Sequence, residues 1–157
     1  MKFLRHEGRQ LLFELRHSDR DVLGWLLQLY PVMPTGHAQF TRSTALDEDG
    51  ERQQLLEEAL AAQRKENQHR IEAFLGTNQR FEPQEDNVIL RLTDTEADWL
   101  LEVLNEIRVG SWVRLGRPQK EDEINVPNHQ ESLRLLWAME LSGYLETRLL
   151  DGLTARQ

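Results

Sequence analysis

The chain has 157 residues, a formal net charge of -8 from 19 basic and 27 acidic side chains, and no cysteine. That length suits one domain, residues 1–157, burying roughly two thirds of the surface its unfolded chain exposes. An acidic chain of pI near 5.2 lacks the basic surface that sequence-independent nucleic-acid binding needs, and without cysteine it holds neither disulfides nor thiolate metal sites. Charged and polar residues interrupt the opening within a few positions, so no signal peptide is read. No apolar run is long enough to cross a bilayer. The expectation is a soluble, cytoplasmic protein. Leu occurs 27 times against 11 for Val plus Ile, which favours helix over sheet.

From Met1 to Arg16, two short apolar runs, around Phe3-Leu4 and Leu11 to Leu15, flank Gly8 at a turn position. Short runs around a central Gly predict a β-hairpin. One continuous helix is the alternative, and periodicity alone does not separate the two. Ser18 then reads as the cap of a helix through about Tyr30, with Asp19 and Asp21 near its positive end and Pro31 helping to end it. Residues 31–49 read as loop, with Pro34 and Gly36, and a connection of that length is often functional.

A second helix is expected from about Gly50 to Leu75, with Asp47, Glu48, Asp49 and Glu51 complementing the dipole at its start. Leu55, Leu56, Ala59, Leu60, Ile71, Phe74 and Leu75 are its expected packing residues. The polar middle, Gln63 to Arg70, is expected to project into solvent or to cover a polar surface, and Gly76 to end the helix. Thr77 to Asp86 reads as polar loop. Val88, Ile89, Leu90 and Leu92 predict a short strand, near 87–92, that joins the hairpin.

Thr93 to Gly116 is the stretch around which the rest is organised. Thr93 and Glu96 have the spacing of a capping box, and Gly116 with Pro118 is a stop signal. Ala97, Leu100, Leu101, Leu104, Ile107 and Leu115 follow one helical face, and Trp99, Val103, Val109, Trp112 and Val113 populate the remainder. A helix apolar nearly all round is buried on several sides, or else offers its second face to another chain. After a charged loop to Pro127, Asn128 and Glu131 repeat the cap spacing and open a last helix to about Leu153. Its stripe is Leu133, Leu136, Trp137, Leu141, Tyr144, Leu145 and Leu149. Tryptophan occurs in every long helical segment except the second, as a core anchor would.

Chemistry-bearing patterns are sparse. Glu66 and His69 have the Glu-x-x-His spacing of di-iron bundles, but no second such pair accompanies them, so a solvated polar face is the better reading. His6, His17, His37 and His129 are scattered, Ser111 lacks the setting of a nucleophile elbow, and no phosphate-binding Gly-rich loop is present. Hence no catalytic residue, metal or cofactor is expected. The polar residues of the central helix are the one candidate binding group: Asn105, Glu106, Arg108 and Arg114. Either the arginines pair with carboxylates such as Glu131 or Glu140, or they form a guanidinium pair open to an anionic ligand or to a partner's carboxylate.

The run Trp99-Leu100-Leu101-Glu102-Val103-Leu104-Asn105-Glu106-Ile107-Arg108, then Arg114-Leu115-Gly116, resembles a bacterial family, the domain-of-unknown-function family numbered twenty-seventeen. Glu106 stands where that family has Asp, and Ser111-Trp112-Val113 where it has Leu-Gly-x. The resemblance implies an association with protein quality control, because members are often encoded beside the ClpS protease adaptor. Some members have been labelled transcriptional regulators, a label that neither the acidic balance nor any helix-turn-helix here supports. The expected fold is α+β, mainly α: four helices with a small N-terminal β-hairpin. The expected function is a non-enzymatic protein-interaction or regulatory module that self-associates through spare apolar surface on the central or last helix. A small-anion-binding enzyme or sensor is the alternative, and transcriptional regulation the third reading.

Overall fold

The computed structural model describes residues 1–33, 49–77, 80–119 and 129–155, without the side chains of Asp49 and Glu51. Pro34, Gly36, the acid cluster at 47–51 and the Asn128 cap therefore lie outside the described residues or side chains. The chain runs β1 (Lys2–Glu7), β2 (Gln10–Arg16), α1 (His17–Gln28), α2 (Asp49–Gly76), β3 (Phe81–Pro83), β4 (Asn87–Thr93), α3 (Asp94–Arg114) and α4 (His129–Thr154). It is an α+β fold, mainly α. No described helix is long and apolar enough to cross a membrane.

The opening segment is a hairpin. Glu7 pairs with Gln10, leaving Gly8 and Arg9 as a two-residue turn. Gly8 has φ +62 at the first turn position, a backbone that matches strand twist and that glycine adopts without strain. All strands are antiparallel, in the order β1-β2-β4-β3. In β4, Val88, Leu90 and Leu92 are buried and alternate with less buried residues. They pair with Leu15, Phe13 and Leu11 of β2, so one sheet face lies on the core. The stretch expected as loop at 77–86 contains the extra strand β3. Its anchor is a single aromatic: Phe81 is buried and sits edge-on to Phe74 at 5.8 Å. Pro83 is tolerated there because β3 is an edge strand with a free donor side.

Helix starts follow local chemistry. At α3, Thr93 Oγ1 accepts from the Glu96 amide at 3.2 Å, and the Thr93 amide donates to Glu96 Oε2 at 2.8 Å, the expected box. At α1 the expected cap is displaced. Asp19, not Ser18, accepts from the Arg16 amide at 3.2 Å, and Ser18 lies inside the first turn.

α3 lies at the centre. Ala97, Leu100, Leu104 and Ile107 are buried, and so are Trp99 and Val103 on its other face. That second face is covered within the chain, Trp99 meeting Phe74 of α2 at 5.7 Å. Both apolar faces thus meet cover over the first turns, while Glu102, Asn105, Glu106 and Arg114 stay exposed.

α2 departs from the expectation in its first half and at Asn67. Leu55 and Leu56, expected to pack, are 65% and 52% exposed. The polar middle instead supplies buried Asn67, and Ile71 and Phe74 complete the packed half. α4 presents Leu135, Ala138, Ser142, Leu145, Leu149 and Gly152 inward. Small residues on that face allow close approach: a Cβ on Gly152 would stand 2.5 Å from Phe13 Cζ. The larger Leu133 and Trp137 turn outward instead, and Tyr144 leaves part of its ring exposed while its hydroxyl accepts from the Met1 amino group at 2.7 Å. Trp137 is therefore not the core anchor that its size suggested.

Candidate functional site

α3 and α4 run side by side, and their shared edge carries both arginines singled out from the sequence. Arg108 Nε donates to Glu146 Oε2 at 3.1 Å, and its Nη2 donates to Asn105 Oδ1 at 2.8 Å. Burial pushes the Glu146 carboxyl up by more than Arg108 lowers it. Arg114 Nη2 pairs with Glu131, and its Nη1 donates to the Val32 carbonyl at 3.4 Å. Glu131 and Glu146 are 15 residues apart on α4, roughly 22 Å along a helix. The two guanidinium groups are thus drawn to separate carboxylates and do not form one anion site. Glu131 was among the expected partners; Glu140 takes no part in either pair.

Asn105, besides accepting from Arg108, shares a second site with Glu106. Together with Tyr30, Arg64, Val109 and Val113 they line a cavity of about 150 Å³ between the end of α1, α2 and α3. Behind it lies a buried polar relay. Trp99 Nε1 donates to Asn67 Oδ1 at 3.0 Å, and Asn67 Nδ2 donates to the Tyr30 hydroxyl at 3.1 Å. Burial, followed by a hydrogen bond to Glu106, pushes the Tyr30 phenol up to about 12, so it stays protonated at neutral pH. The Arg64 side chain is 13% exposed, and its Nε lies 3.9 Å from Glu106 Oε1. Among the described residues that buried Nε has no hydrogen-bond partner.

Tyr30, Arg64 and Asn67 were not identified from the sequence. Arg64 and Asn67 stand in the polar run of α2, where nothing in residue type distinguishes an inward side chain from a solvated one. Tyr30 ended a helix and gave no sign of its partner 37 residues away.

A larger concavity, about 610 Å³, lies over the outer sheet face among Arg5, Glu14, Glu82, Asp86 and Arg91. Arg91 donates to Glu82 at 2.8 Å and to Glu7 at 2.9 Å, a charge ladder across the strands. Among the described residues no group of three His, Asp or Glu side chains could hold a metal. His69 lies at the surface with Nδ1 3.8 Å from Glu72, and Ser111 is fully buried. No family model, no curated protein and no solved structure matches the chain.

Proposed function

We propose that this protein is a non-enzymatic interaction module that pairs with a second copy of itself through the outer face of α4. One observation carries the reading: Trp137 is 59% exposed on a helix whose opposite face is packed. Leu133 at 42% and Tyr144 at 39% stand on the same face, four residues before it and seven after. Trp and Tyr on one exposed stripe are the residue types that anchor interfaces, since each combines a large apolar body with a polar tip.

Magnitude decides what kind of pairing this is. The three side chains expose on the order of 300 Å² together, reckoned from aromatic payloads of 150–250 Å². A standard interface buries about 800 Å² on each partner. The pairing is accordingly weak and reversible. A two-fold pair uses the same patch twice, and antiparallel α4 helices centred level with Ala138 and Met139 set Leu133 of one copy opposite Tyr144 of the other.

The paired state of Arg108 and Arg114 supports this reading over an anion-binding enzyme built on those arginines, because their charges are already met by α4 carboxylates. Concentration-dependent sedimentation, lost on Trp137→Glu, is the expected result. A sharp monomer throughout the micromolar range would remove the self-association.

A further inference from the structure

The Arg64 cavity is unrelated to the α4 stripe and has a chemistry of its own. A guanidinium is always charged and carries five donors. Arg64 is largely buried, and among the described residues its Nε has no hydrogen-bond acceptor, the ion-paired Glu106 Oε1 standing 3.9 Å away, so a closer acceptor would be favourable. A bare anion would fit poorly, because the Glu106 carboxylate stands 3.9 Å from that same nitrogen. Glu106 is half-exposed and lines the same cavity, so its negative charge also faces whatever enters.

A cation and an anion side by side at one end of a cavity are the complement of a zwitterion. The remaining walls include Val32, Met33, Val109 and Val113, which offer no polar side chain and suit an aliphatic body. The volume of about 150 Å³ is that of an apolar cavity able to take a benzene-sized group. Valine or leucine fits that description, whereas tryptophan is too large.

We propose that this cavity binds a small free aliphatic amino acid, its carboxylate on Arg64, its ammonium on Glu106 and its side chain among Val32, Val109 and Val113. The test is a methyl-resolved NMR titration of the full chain with L-valine and L-leucine. Alongside run 3-methylbutanoate, which lacks the ammonium, and 2-methylpropylamine, which lacks the carboxylate. The expected result is saturable shifts at the Val109 and Val113 methyls with the amino acids, each single-charge analogue binding about tenfold more weakly for the loss of one charge-assisted contact.

Binding should vanish in Arg64→Gln and in Val113→Trp, which fills the space while leaving both charges in place. No saturable shift with either amino acid overturns the proposal. So does equal binding of either analogue, or binding that survives in both variants. If Arg64→Gln fails to fold, Val113→Trp and the analogue series decide alone. None of these readouts depends on the oligomeric state, so failure here leaves the α4 interface untouched, and the reverse.

Discussion

Asn67 holds together more of the interior than any residue type in its neighbourhood would suggest. It accepts from Trp99 and donates to Tyr30, linking α2, α3 and the end of α1 in one relay. Removing it strands a buried indole N–H, and such an orphan costs about 1–3 kcal/mol. Asn67→Ala should therefore lower urea-unfolding stability by roughly 2–3 kcal/mol, against less than about 0.5 for Gln68→Ala at an exposed neighbour. Equal effects would show that the relay is not formed.

Gly152 makes a comparable case by shape. A Cβ there stands 2.5 Å from Phe13 Cζ and 3.0 Å from Phe3 Cδ2, and the Phe13 ring is fully buried. Gly152→Ala should destabilise by about 1–3 kcal/mol through overpacking, even though alanine is the better helix former. A stabilised variant would contradict the packing.

Two carboxylates set the acid limb of stability. Burial raises Asp19, but hydrogen bonds from Arg16 and the Met1 amino group win and hold it below 3.8. Burial also raises Glu96, and hydrogen bonds from Thr93 and Arg80 hold it below 4.5. A depressed folded value means stability that is complete above those ordinary values and lost as pH falls through the depressed ones. Glu146, raised by its burial, has the opposite sign and loses stability as pH rises through its raised value. Chemical-denaturation stability should thus fall on acidification below about pH 4, with a shallower slope in Glu96→Gln. Identical slopes in the two proteins would contradict the assignment.

The Thr93–Glu96 box was legible because capping is local, a matter of spacing within one turn. Asn67 was not, because its meaning depends on residues 32 and 37 positions away.

α2 shows how far periodicity carries and where it stops. Its C-terminal half, with Ile71 and Phe74, was read correctly as packed, and both are buried. Its first half offers leucines with suitable spacing but no described surface to cover, so Leu55 and Leu56 stay exposed. Sequence periodicity names the apolar face of a helix but not whether a neighbour reaches it. Amide hydrogen exchange should follow this gradient: fast over 50–62 and slow over 67–75, where the relay and the Phe74–Trp99 contact hold the turns. Uniform protection would mean that the first half is covered.

The strands divide in the same way. The β4 alternation and the Gly8 turn were readable from period and turn chemistry. β3 was not, since three residues with one aromatic carry no period at all.

For the whole molecule, the burial of Trp99 and Val103 on α3 narrows where a partner protein can dock. The sequence left two candidates for spare apolar surface, the central helix and the last. Burial of Trp99 and Val103 inside the chain leaves α4 as the better supported, with Trp137 pointing out where a core anchor was expected. The arginines are in structural pairs across α3 and α4. A single helix could not reveal that, because the partners come from a segment 17 and 38 residues further on.

The most direct measurement is sedimentation velocity over a wide concentration series, on the natural chain and on Trp137→Glu with matched thermal stability. A sedimentation coefficient that rises with concentration only in the natural chain is the result expected of an α4 interface. A concentration-independent monomer in both, or association that persists in Trp137→Glu, would contradict it.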